Sequence, residues 1–214
     1  MKAKIGIAPI AWSNDDLPEL GGETSLETCL SEAKKAGFMG VETGGKFPKS
    51  SKELKPILDH HKISLCGGWY SGTLLDNDLE DEKLKVKTQM DLFIDLGAPC
   101  LVYGETAGTI QNIRNAPLNS RRILSEEEFK KYGEKVTKFF NWCESEGMPL
   151  SFHHHMGTVV ETEKDLDNLM KNTDESVKLL FDPGHMAFAG GNIYDIIKTV
   201  SYTHLRAHET REDR

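Results

Sequence analysis

The chain has 214 residues, of which 38% are hydrophobic and 28% charged, with a formal net charge of -8. That length builds one good core and is marginal for two. The acidic balance argues against nucleic acid, whose phosphates need a clustered positive surface, and no apolar run approaches a membrane span. The first residues lack the apolar core of a secretory signal. Cys29, Cys66, Cys100 and Cys143 stand apart and form no C-x-x-C pair. A reducing cytoplasm is therefore the expected setting.

In chain order, residues 4–12 read as a strand, with Pro9 placed near its end. Residues 25–36 read as a helix, with Leu26, Cys29, Leu30 and Ala33 at helical spacing and Gly37 as its stop. A short strand over 40–43 and a helix over 51–61 follow. Next come a strand over 63–69, a helix over 80–96 and a strand over 100–105. Residues 106–124 form a long loop without periodicity, placed where it could act as a lid. Ser125-Glu126-Glu127-Glu128 is a capping box that opens a helix over 125–146. The pattern closes with a strand over 150–155, a helix over 162–171, a strand over 177–182 and a helix over 192–200.

Six strand-plus-helix units in alternation predict an α/β fold with a parallel sheet and right-handed crossovers. A doubly wound sheet is one solution, but its glycine fingerprint is absent after the first strand, where Ile10-Ala11-Trp12-Ser13-Asn14 stands instead. Polar residues gather after many strand ends, which favours a (β/α)₈ TIM barrel with about six of its units present.

The run Ser151-Phe152-His153-His154-His155-Met156-Gly157-Thr158 carries the clearest chemistry. Alternation along a strand puts His153 and His155 on one face and turns His154 to the other with Phe152. Asp182 and His185 arrive at the end of the next strand. Imidazoles and a carboxylate are ligands for a hard or borderline divalent cation. His153 and Asp182 are the metal candidates, His155 a substrate contact, and His185 a group that exchanges protons. The competing role for Asp182 is a helix cap before Pro183-Gly184, and His154 reads as structural. Glu42 lies inside a short strand, where a charge is costly to bury without a partner. Lys46 is the candidate partner, and Glu42, Lys46 and Glu105 are candidates for proton transfer. Trp12, Asn14, Trp69 and Tyr70 are candidate substrate contacts, with core packing as the alternative for the aromatic rings. His60-His61 reads as the cap of a helix end.

Several segments together resemble the inosose dehydratases, a family within the xylose-isomerase-like barrels. They are the stretch from Gly6 to Gly22, Gly40-Val41-Glu42 with Lys46-Phe47-Pro48, Tyr103-Gly104-Glu105-Thr106, the run from His153 to Val160, and the run from Asp182 to Gly191. Ala8 and Ala11 depart from the pattern, which has asparagine and glycine there, and Pro183 replaces the commoner threonine. The resemblance implies removal of water from 2-keto-myo-inositol, a cyclic polyol ketone, to give a trihydroxycyclohexane-dione in inositol catabolism. It also implies cobalt or manganese, with glutathione as a helper, and leaves room for a homo-oligomer. The alternatives are a ketose isomerase or epimerase of the same superfamily, and an inactive fragment. Residues 1–200 are expected to form an incomplete barrel domain lacking strands seven and eight, and residues 201–214 a non-native tail.

Overall fold

A computed structural model of the chain describes residues 4–201. Six strands form one sheet: β1 (Gly6–Ile7), β2 (Gly40–Thr43), β3 (Ser64–Gly72), β4 (Leu101–Glu105), β5 (Leu150–His153) and β6 (Lys178–Leu180). The spatial order follows the chain order, and every neighbouring pair is parallel. A doubly wound sheet reverses its strand order at a switch point. No reversal occurs among the described strands, so the sheet is the wall of a barrel.

Helices α1 (Leu26–Lys35), α2 (Ser51–His61), α3 (Leu79–Asp95), α4 (Glu126–Ser145) and α5 (Glu163–Lys171) link successive strands, and α6 (Pro183–Phe188) and α7 (Ile193–Ser201) follow β6. Local signals set their ends. Ser25 caps α1 by accepting from the Thr28 amide at 3.0 Å. The expected capping box opens α4, and a second, Thr162 with Asp165, opens α5. Gly37 and Gly147 stop the preceding helices in the left-handed region, at φ 96° and 94°, which a side chain would resist.

The first strand is shorter than predicted. Pro9 has no amide hydrogen for the ladder. Residues Pro9–Ala11 instead make a 3-10 turn in which the Pro9 carbonyl accepts from Trp12 and Ser13 at 2.8 and 3.0 Å. The strands predicted over 150–155 and 177–182 also end early. Helix α6 was not predicted, although an aspartate followed by proline is a helix-start signal. The expected change of character at 201–214 falls almost wholly outside the described residues.

The core lies mainly between the outer face of the sheet and the helices. Tyr103 packs on Phe139 and Phe140 of α4 and on Phe152 of β5, with ring centroids 5.6–5.9 Å apart. All four cysteines are free thiols. No described helix is long and apolar enough to cross a membrane.

Candidate metal centre

The inner face of the sheet and the loops beyond its strand ends enclose a cavity of about 370 Å³. Glu42, Trp69, His153, His155, Asp182 and His185 all line it. These are the sequence candidates that the fold brings together.

The imidazoles of His153, His155 and His185 form a cluster in which one nitrogen from each lies within 4.8 Å of the others. The ring centroids of His155 and His185 are 4.0 Å apart, and His153 stands 5.7 and 5.4 Å from them. The His155 Nδ1 contacts the Met156 carbonyl at 2.8 Å. A carbonyl only accepts, so Nδ1 carries the hydrogen, and in the neutral ring Nε2 is the nitrogen with a free lone pair. The Nδ1 of His153 is buried without a hydrogen-bond partner. Burial, then the neighbouring His155 and His185, pushes the His153 pKa down to about 3. His185 is lowered by burial and by His155. Three imidazoles whose nitrogens converge in one place suit a borderline divalent cation. The donor set itself, three imidazole nitrogens within 4.8 Å of one another, is what fits such a cation.

Asp182 sits beside this cluster and performs the competing role as well. Its Oδ1 accepts from the His185 amide at 2.9 Å and so caps α6, while Oδ2 lies 3.9 Å from the His185 Nε2. Burial alone would raise its carboxyl. The His185 amide and the adjacent imidazoles outweigh burial and hold the pKa below its ordinary value. Trp69 presents its ring edge-on to His153 and His155, at 5.6 and 5.8 Å. Its Nε1 donates to Ser71 at 2.8 Å. Gly104 makes room for it, since an added Cβ would lie 2.0 Å from the indole. Glu42 projects from β2 into the cavity, and no hydrogen bond from a described residue reaches its carboxylate. Burial raises its pKa.

Five sequence candidates lie elsewhere. Alternation along β3 and β4 turns Tyr70 and Glu105 to the helix side of the sheet. Tyr70 donates to Glu82 at 2.5 Å. Glu105 accepts from Tyr103 at 2.8 Å and from the Ala107 amide at 2.9 Å, and burial pushes its pKa up to about 7. Lys46 does not pair with Glu42. Its three donors serve backbone carbonyls, those of Gly21 and Gly22 at 3.0 and 2.7 Å and that of Thr24. Trp12 donates to Glu32 of α1 at 2.6 Å. The Asn14 side chain closes a turn by accepting from the Asp16 and Leu17 amides, both at 2.9 Å.

Ser13, Asp16 and Gln111 line the cavity without having stood out in the sequence. Gln111 belongs to the loop predicted as a lid, which is fastened down. Arg121 in that loop meets Asp165 at 2.7 Å and Glu161 at 3.3 Å, and the Ile110 amide donates to the Gly157 carbonyl at 3.0 Å. His60 and His61 form a separate cluster with Glu27 on α1 and α2. His61 pairs with Glu27 at 2.8 Å and does not cap its own helix.

A family described as the xylose isomerase-like TIM barrel matches residues 30–213. The chain belongs to that family. The rhizopine catabolism protein MocC of Rhizobium meliloti is 47% identical over 193 residues, which cover 90% of this chain and 59% of MocC. An inosose dehydratase of Clostridium perfringens is 38% identical over 209 residues, covering 95% of this chain and 70% of the relative. The chain thus spans between about six and seven tenths of these relatives. Among solved structures, the IolI protein with a bound zinc atom superposes with a TM-score of 0.66 at 18% identity, over 94% of this chain and 70% of IolI. Members of a xylose isomerase-like barrel family keep their chemistry at the carboxyl ends of the strands. The imidazole cluster stands there, at the ends of β5 and β6.

Proposed function

We propose that this site removes water from a cyclic polyol ketone of the 2-keto-myo-inositol type, as a metal-dependent lyase. The observation that carries the reading is the cluster of His153, His155 and His185 beside Asp182, facing Glu42 across one cavity. The relatives named inosose dehydratase supply the substrate class. Cobalt or manganese is the proposed cation, held by the three imidazoles with the Asp182 carboxylate alongside.

Such a cation, when bound, polarises a carbonyl and an adjacent hydroxyl. The chain's own groups handle the protons. Dehydration takes a proton from the carbon beside the carbonyl, and a hydroxyl leaves the next carbon as water once protonated. Glu42 is the group placed to exchange these protons. Burial raises its pKa, the direction that makes a carboxyl a better acceptor of the substrate's proton. Trp69 offers an indole wall to the apolar face of the ring. Tyr70, Glu105, Lys46 and Trp12 are left out of this step, because their polar side-chain atoms are engaged outside the cavity, and Asn14 because its carbonyl oxygen closes a turn.

The test is dione formation from scyllo-inosose with Mn²⁺ or Co²⁺, against the same protein treated with a chelator. The expected result is metal-dependent product, and parallel assays with and without glutathione test the thiol. An epimerised or isomerised sugar with no dione would replace this reading with that of an isomerase of the same superfamily.

A further inference from the structure

We propose that His154 is a positioning residue that holds Asp182 and His185 in place from the opposite side of the sheet. The proposal rests on the metal-centre reading for its functional consequence, but its structural content stands on the brace itself. His154 follows the last residue of β5 and turns outward, as the alternation requires. Its side chain is completely buried. The ring packs 5.6 Å from Phe181 and lies parallel to His153 at 6.0 Å.

Its Nε2 accepts a hydrogen bond from the Asp182 amide at 3.1 Å. That amide lies beyond the end of β6, so the ladder with β5, which closes at His153 and Leu180, does not reach it. From Asp182 the chain of bonds continues, since its carboxylate accepts from the His185 amide and fixes the first turn of α6. One imidazole therefore sets the backbone of one candidate ligand and, through it, the start of the helix that carries another.

The brace has a cost. With Nε2 accepting, Nδ1 carries the hydrogen, and this nitrogen is buried with no partner. An unsatisfied buried donor is destabilising. An apolar ring in the same space would avoid that loss, and phenylalanine would keep the contact with Phe181. A residue retained only for packing would gain from that exchange. A residue retained for its acceptor would lose function by it.

Two variants, His154→Phe and His154→Gln, measured beside the unmutated protein, separate these outcomes. The glutamine carbonyl takes the place of Nε2 as acceptor. Amide hydrogen exchange reads the brace without any metal. Protection of the Asp182 and His185 amides should fall in His154→Phe and return in His154→Gln. Co²⁺ titration followed by visible absorption then reads the consequence. His154→Phe should bind about 10- to 100-fold more weakly, as is typical when the group supporting a ligand is lost, with a melting temperature close to that of the unmutated protein, because an unpartnered Asp182 amide replaces an unpartnered Nδ1. His154→Gln should recover most of the affinity. Unchanged amide protection in His154→Phe overturns the proposal whatever the metal does. Equal Co²⁺ affinity in His154→Phe and the unmutated protein also overturns it, while leaving the metal centre standing. An unmutated protein that binds no Co²⁺ overturns the metal centre, and the exchange data then decide the brace alone.

Discussion

Glu42 and Glu82 both take a carboxylate out of bulk water, and the fold treats them in opposite ways. Glu82, on α3, is fully buried against the outer face of the sheet. It accepts from Tyr70 at 2.5 Å and from the Thr73 amide and hydroxyl at 3.2 and 2.9 Å, and Lys85 stands 3.4 Å away. Burial alone would raise its pKa, but the bonds from Tyr70 and Thr73 outweigh it and hold the carboxyl below its ordinary value. Glu42 faces the cavity with no such partners and is shifted upward by burial. A satisfied carboxylate stays ionised and braces structure. An unsatisfied one is left able to move a proton.

The sharpest way to break this comparison is to neutralise each carboxylate. Glu42→Gln should lower kcat by about 10²- to 10⁴-fold, the range for loss of a group that transfers a proton. Its thermal stability should be unchanged or higher, because a poorly solvated charge is gone. Glu82→Ala should do the reverse. It strands Tyr70 and Thr73 in the core and should cost about 3 kcal/mol in a denaturant melt, with Co²⁺ affinity unaltered at the folded plateau. A Glu42→Gln protein with full activity, or a Glu82→Ala protein as stable as its parent, would erase the distinction.

A smaller effect comes from pH, where the buried imidazoles and Glu105 contribute with opposite sign. In the fold, His153 and His154 have pKa values pushed down to about 3 and about 4, by burial first, from the ordinary 6.5. Below pH 6.5 the unfolded chain takes up protons that the folded chain refuses, so these groups remove stability as the medium is acidified. Glu105, raised by burial from 4.5 to about 7, acts the other way. Between those values the folded chain keeps a proton that the unfolded chain has lost, so stability falls as pH rises through the window. Glu105 therefore offsets part of the rise that the two imidazoles give, and Glu105→Gln should steepen the rise in stability between about pH 5 and 7 and leave the acid limb intact, as read by urea melts across the range. An unchanged slope in that window would contradict the burial assigned to Glu105.

The parallel alternation and most helix boundaries were legible in the sequence, because apolar periodicity and caps such as Ser25, Ser125 and Thr162 act locally. The cluster of His153, His155 and His185 was partly legible for the same reason, since a strand's alternation sorts neighbours by face. That rule also holds for Tyr70 and Glu105. The strand of Glu105 was recognised and that of Tyr70 was expected to end one residue before it, but a buried parallel strand is apolar on both faces, so nothing in the local pattern says which face looks inward. Lys46 shows a second limit. Its three carbonyl partners lie more than twenty residues upstream, and only the folded chain brings them together. Gln111 sits in a loop without periodicity, fastened by Arg121 to acids some forty residues further on, and no local signal points to it.

The central claim is that His153, His155 and His185 hold one divalent cation at the ends of β5 and β6. Anomalous scattering from crystals grown with Co²⁺ tests it most directly. The account predicts one strong peak at about 2.1 Å from a nitrogen of each imidazole, lost in His185→Ala. A peak confined to Glu27, His60 and His61 on the helix surface, or no peak at all, would contradict it.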